Sequence, residues 1–281
     1  MTTNQQSPQR ASHVVPFNKL AHIEFACACF SNVLGNSSSD DPAVAVAQIV
    51  QQLRLLPKDQ HIGNVDAVSA IAGIQLDGSV LQAISMFDQQ SSIRHCLITG
   101  YHGQKRVDEM FIQNKVADYF GSKRTDGLIS QGKANHTGHQ AAWITQHVKE
   151  LGLESLIVIA PAFHLPRVYV TFLEALRRVL GDEGYLKFKL IPIAYGGNPE
   201  APELLDVAAE AEHGESDDSH EYRTVNQVMA VPGECNRIGG YQQVKPDGSQ
   251  GDCLTTPRLV EYVQKVFGLE VFPWLTFKTH E

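Results

Sequence analysis

Between Val65 and Ile193 the chain alternates short apolar runs with longer stretches of helical periodicity, and this alternation constrains its fold more than any other feature. The runs are Val65-Asp-Ala-Val-Ser-Ala-Ile-Ala-Gly73, Arg94–Gly100, Asp126–Ser130, Ser155–Ala160 and Phe188–Ile193. Between them lie amphipathic segments: the one ending at Gln89, then 108–120, Thr137–Leu151 and Pro166–Leu180. A continuously apolar strand is buried on both faces, and strands that alternate with helices join through crossovers into a parallel sheet. The expectation is an α/β fold, a mostly parallel sheet with helices on both faces. The turn-prone Asp77-Gly78-Ser79 follows the first run.

Flanking this core, Phe17–Leu34 and Pro42–Leu56 read as helices. Asp41-Pro42 is a cap followed by a first-turn proline, and Pro57 is a stop. The expected organisation is a loose tail at 1–16, a helical annex at 17–57, the α/β domain at 62–196, an acidic insertion at 197–221 and a helical segment at 222–281 packing on the core. Residues 200–221 hold nine carboxylates and no Lys or Arg, against a net charge of −8 for all 281 residues. The insertion therefore reads as solvated, and the rest of the chain is nearly neutral, which leaves an anion site compatible with the overall sign.

No global positive field exists to neutralise nucleic-acid phosphates. The most apolar early stretch, Leu20–Leu34, is broken by His22, Glu24 and Asn32 and is too short and polar to span a bilayer. Five scattered cysteines (Cys27, Cys29, Cys96, Cys235, Cys253) read as reduced thiols. The expected setting is cytoplasmic, with neither nucleic acid nor membrane as partner and the oligomeric state open.

Ligands of an open parallel sheet bind outside the carboxyl ends of its strands. That rule selects the loops Gly73–Ser79, Gly100–Gln104, Ser130–Thr137 and Pro161–Arg167. The second offers exposed amides around Gly100 and Gly103. The third delivers Asn135 and Thr137, the latter also a natural helix cap. The fourth places His164 and Arg167 on one face of a first helical turn, combining a group that titrates near neutrality with a bidentate fork for phosphate or carboxylate. Neither the three-glycine dinucleotide fingerprint nor a phosphate-loop lysine motif occurs, and no Gly-x-Ser-x-Gly elbow supplies a serine nucleophile. Cys27-Ala-Cys29 has no matching Cys/His pair, and His136, His139 and His147 lack zinc-site spacing, so no metal site is expected. Gly233-Glu234, Arg237, Tyr241 and Gly251-Asp252 could reach over the site as a lid or simply pack on the sheet.

Taken in order, these blocks resemble the YdcF/SanA/ElyC-like family, the soluble YdcF-like branch in particular. The matched blocks are Asp66–Gly73 with Asp77-Gly78-Ser79, Leu97-Ile-Thr-Gly-Tyr-His-Gly103, Glu109, Asn135-His-Thr137 and Ala160-Pro-Ala-Phe-His-Leu-Pro-Arg167. The resemblance spans about Asp66–Ile193 and implies a Rossmann-like domain binding a nucleotide-like or adenosyl ligand, S-adenosylmethionine being the suggested class. It implies ligand contacts from Gly73, Gly100, Tyr101, His102, Gly103, Glu109, Gln131, Asn135, Thr137 and Pro161, with His164 and Arg167 as both ligand-binding and catalytic residues. Where that family carries acidic groups and Glu-Asn, this chain has Gln131, His139 and Gln140, and Pro161 replaces its Ser. Two function classes follow: an enzyme of group transfer or hydrolysis at a phosphate or adenosyl group, or a ligand-sensing or scaffold protein without catalysis.

Overall fold

The computed structural model describes residues 42–56, 64–71, 77–101, 116–134, 136–161, 163–195, 206–210, 222–226, 234, 236–244 and 251–269. The tail 1–16, the first annex helix 17–34, the Cys27–Cys29 pair and the aromatic stretch 272–277 lie outside them. The elements in chain order are α1 (Pro42–Leu55), β1 (Ala67–Ile71), α2 (Asp77–Gln89), β2 (His95–Tyr101), α3 (Val116–Phe120), β3 (Leu128–Ala134), α4 (Thr137–Glu150), β4 (Ser155–Pro161), α5 (Leu165–Tyr185), β5 (Lys189–Tyr195), β6 (Asp206–Glu210), β7 (Tyr222–Asn226) and α6 (Thr256–Phe267).

Five strands form one sheet in the order β3-β2-β1-β4-β5. Every pairing in it is parallel, with Ala67 opposite both His95 and Leu156, Cys96 opposite Leu128, and Ser155 opposite Lys189. The chain winds outward from β1 to β3, then returns to the other side of β1 for β4 and β5. The reversal between β1 and β4 is the topological switch point of a Rossmann-like sheet.

The period of two along each strand sorts the core into two layers. Ala67, Ile71, Leu97, Leu156, Val158, Ala160 and Leu190 share one cluster with α1, α4, α5 and α6. Val68, Ala70, Cys96, Ile98, Ile157, Ile159 and Ile191 pack with α2 and Val116 of α3 on the other side. Burial on both faces explains why β1 and β4 read as unbroken apolar runs. The second helix of the expected annex, α1, is part of this core: Val46, Ile49 and Leu53 are buried with the α5 residues Tyr169 and Leu173.

The amino edge of the sheet is closed by Asp66. Its carboxylate accepts from Arg94, from the Ser155 hydroxyl and from the backbone amides of Glu154 and Ser155, at 2.7–3.1 Å. At the β5 edge, Tyr262 of α6 donates to Phe188 O (2.8 Å) and accepts from Leu190 N (2.9 Å), while Tyr169 donates to Leu190 O (3.0 Å).

Four boundaries differ from the sequence expectation. Asp77-Gly78-Ser79 opens α2 instead of forming a turn, and the Tyr195 ring lies where a Cβ on Gly78 would stand. Strand β3 runs through Gln131 to Ala134, which were expected as loop, because pairing with β2 continues to Tyr101–Ala134 across a bulge after Thr99. Helix α5 extends to Tyr185 but is interrupted at Gly181 (φ 78°), next to the expected stop at Leu180. Finally, 206–210 and 222–226 form an antiparallel pair with Val207 opposite Val225. The acidic insertion thus contains a strand, and the expected C-terminal helical segment begins with one; β-branched Thr224 and Val225 with Tyr222 suit that pleated backbone.

Candidate functional site

The carboxyl edge of β4, beside the switch point, delivers two of the candidate side chains. Strand β4 ends at Pro161, whose carbonyl accepts from His164 N at 3.0 Å, turning the chain into α5. His164 is the N-cap of α5 yet makes no side-chain capping bond, and Pro166 sits in the first turn. Its imidazole is therefore released from helix duty. Arg167, one turn on, lies on the same face, with Nη2 3.2 Å from His164 Nδ1.

Glu234 organises this pair from a point 70 residues further along the chain. Its Oε2 accepts from His164 Nδ1 (2.7 Å) and Arg167 Nε (2.6 Å), and its Oε1 from Arg167 Nη2 (3.2 Å) and Arg237 Nη1 (2.8 Å). An ionised carboxylate can only accept, so these partners assign the His164 proton to Nδ1 and leave the lone pair on Nε2. The Arg167 Nη2–His164 Nδ1 approach is then a contact between two donors rather than a hydrogen bond.

Thr137 completes the cluster. The sequence suggests it as the cap of α4, but His136 takes that role, its Nδ1 accepting from Gly138 N at 3.1 Å. Thr137 is the first helical residue and its hydroxyl turns to the site, 3.3 Å from His164 Nε2 and 3.4 Å from Arg167 Nη1. The one consistent arrangement has Arg167 donating to Thr137 Oγ1 and the threonine hydroxyl donating to His164 Nε2.

The cluster is nearly enclosed: side-chain exposure is 11% for His164, 13% for Arg167 and 6% for Glu234. Burial pushes the His164 imidazole below its ordinary value; the Glu234 charge pulls it back, while Arg167 and Arg237 push it further down. Burial would raise Glu234, but the charges and hydrogen bonds of Arg167 and His164 outweigh it and hold the carboxyl well below the usual range. Burial also opposes the charge on Arg167, and Glu234 more than restores it. These shifts favour a neutral imidazole, an ionised carboxylate and a charged guanidinium.

The C-terminal segment holds Glu234 in place. Leu254 N donates to Val170 O of α5 and Cys253 N to Tyr241 O, and Ile238, Cys253 and Leu254 are buried in the α5 layer. Burial pushes the Cys253 thiol up to about 11, and Cys96 is likewise buried and unreactive. Among the described residues no group of three His, Cys, Asp or Glu side chains could hold a metal ion. Also among them, no helix is long and apolar enough to cross a membrane.

Of the site residues expected from sequence, the structure brings together Thr137, Pro161, His164 and Arg167. Gly100 is buried at the end of β2 and Tyr101 is paired with Ala134. Gln131 is spent within the strands: its Nε2 donates to Thr99 Oγ1 (3.0 Å) and its Oε1 accepts from Lys133 N (2.9 Å). Gly73, His102, Gly103, Glu109 and Asn135 lie outside the described residues. Glu234 and Arg237 join the site as its additional members. Their only sequence signal is the Glu-x-x-Arg spacing in the segment suggested as a lid.

No family model matches the chain. No curated protein matches its sequence either.

Proposed function

We propose that this Rossmann-like protein binds a small phosphate-bearing, nucleotide-like ligand outside the carboxyl ends of β1 and β4. The observation that carries the reading is the enclosed Thr137–His164–Arg167–Glu234 cluster at the switch point of the parallel sheet. Arg167 grips Glu234 with Nε and Nη2 and Thr137 with Nη1, which leaves one N–H on each terminal nitrogen for a phosphate oxygen beside a permanent positive charge.

The resemblance to the YdcF-like branch supports the same class and adds S-adenosylmethionine as an alternative ligand. Between the two, the guanidinium donors favour the phosphate, because a sulfonium beside Arg167 meets like charge while a phosphate meets opposite charge. Arg167 would hold the anion, and His164 with Thr137 would face its reacting end. A neutral His164 beside an ionised Glu234 favours an enzyme of group transfer or hydrolysis over a sensor, since a sensor needs no base poised in this way.

A thermal-shift panel tests this, using nucleoside mono-, di- and triphosphates, inorganic phosphate and S-adenosylmethionine. At about a hundredfold excess over Kd, a specific ligand adds about 2.7 kcal/mol of stability. Arg167→Lys, which keeps the charge and loses the fork, should lose most of that shift while remaining folded by circular dichroism. If no phosphate-bearing compound shifts the wild type, the reading falls. A shift with S-adenosylmethionine alone moves it to the adenosyl class.

A further inference from the structure

Three elements far apart in sequence present an acid, an imidazole and a hydroxyl in line. Glu234 Oε2 lies 2.7 Å from His164 Nδ1, and His164 Nε2 lies 3.3 Å from Thr137 Oγ1. We propose that Thr137 is a nucleophile, with His164 as its base and Glu234 orienting that base, and that the site cleaves phosphate esters or anhydrides through a threonyl-phosphate. The proposal rests on the phosphate-binding reading above and gives it a reaction.

Each member is freed for this work by a local feature of the fold. His136 caps α4 in place of Thr137, so the threonine hydroxyl is not needed by the helix. His164 occupies a cap position without a side-chain capping bond, so its ring turns inward. Glu234 fixes the Nδ1–H tautomer and faces the imidazolium that forms when Nε2 accepts a proton, which is the part an acid plays in a nucleophile–base–acid relay. Arg167 Nη1 donates to Thr137 Oγ1 at 3.4 Å, which polarises the hydroxyl and stands beside the charge that develops on the attacked phosphoryl group.

The step balances without a further reagent. Thr137 Oγ attacks phosphorus, its proton passes to His164 Nε2, and the bond from phosphorus to the leaving oxygen breaks with its electron pair. The imidazolium then protonates that oxygen. Water attacks the threonyl-phosphate, giving one proton to Nε2; the Oγ–P bond breaks, and the proton returns to Oγ.

A fluorophosphonate probe reads the nucleophile directly in the full chain, because Oγ displaces fluoride from phosphorus and the adduct persists. Peptide mass analysis should place the adduct on Thr137 in the wild type. Thr137→Ser should still be labelled and Thr137→Val should not, although both remain folded by circular dichroism. Glu234→Gln should slow labelling by about 10²-fold. The pH profile should show one ionisation, lost in His164→Asn. A folded wild type that resists labelling, or a Thr137→Val protein labelled at the wild-type rate, overturns the proposal. The thermal-shift panel separates the two readings: a ligand shift without labelling leaves a binding site and removes the nucleophile, whereas labelling without any ligand shift supports the nucleophile and overturns the nucleotide-like ligand.

Discussion

Helix α5 takes part in two buried carboxylate–arginine clusters that use the same ingredients in different surroundings. Near its start, Glu234 grips Arg167 and Arg237. In its middle, Glu174, with 1% side-chain exposure, accepts from Arg177 at 2.8–2.9 Å and from Arg178 at 2.9 Å. Both clusters bind α5 to the C-terminal segment, the second through Arg178 Nη2 donating to Gly251 O at 2.7 Å. The arginines around Glu174 have other outlets. Arg178 is 46% exposed, and Arg177 also donates to Asp182. Among the described residues Arg167 has no second carboxylate, and its cluster adds an imidazole and a hydroxyl within reach of each other, His164 and Thr137. Equal ingredients give a clamp in one place and a candidate reaction centre in the other.

Replacing each carboxylate by methionine should separate them most strongly. Glu234→Met strands a buried guanidinium and should cost about 3–5 kcal/mol, a fall in Tm of roughly 10 °C. Glu174→Met leaves arginines that still reach water or Asp182 and should cost less, about 1 kcal/mol on the scale of solvent-accessible pairs. Equal losses in chemical denaturation of the two variants would erase the distinction.

Acid should loosen the first cluster. His164 has a lowered folded value, so the unfolded chain binds more protons once the pH drops below the ordinary histidine value of 6.5. Its contribution is present above that pH and is lost as the pH falls toward the folded value. The depressed Glu234 adds a further loss, in the same direction, below the ordinary carboxyl value of 4.5. Melting curves from pH 7 downward should show Tm falling below about 6.5, and His164→Asn should flatten the upper part of that slope. An unchanged slope in the variant would place the titration elsewhere.

The smallest effect belongs to the rim of the second cluster. Asp182, 61% exposed, pairs with Arg177 and Arg258. Water and salt screen such pairs. Asp182→Asn should leave Tm unchanged within error, and a clear drop would mean that Glu174 depends on its outer partners.

The sheet was legible because its physics is local. β1, β2, β4 and β5 announce themselves as apolar runs bounded by helices, and the period of two hides only because both faces are buried. The site was half legible for the same reason. His164 and Arg167 are one turn apart on one helix, so spacing alone puts them together. Glu234 meets them through folding of the C-terminal segment, and nothing in a sequence spacing of 70 residues encodes a 2.7 Å contact. Thr137 was visible, but as a cap, because a threonine before an amphipathic run suits that role. Only the competing His136–Gly138 bond shows that it is free for another. Residues 131–134 read as loop because the edge strand β3 contains glycine and lysine there, and propensity taken without pairing misses the strand.

The tyrosine bonds at β5 carry one more consequence. An edge strand normally offers a row of unpaired amides and carbonyls on which a foreign strand can crystallise. Here Tyr262 and Tyr169 occupy Phe188 O, Leu190 N and Leu190 O with phenol hydroxyls. An incoming strand from a neighbouring chain would have to evict two buried rings before forming its first bond to Leu190. The helix that fastens the C-terminal segment to the body thereby also guards this side of the sheet against strand-to-strand aggregation.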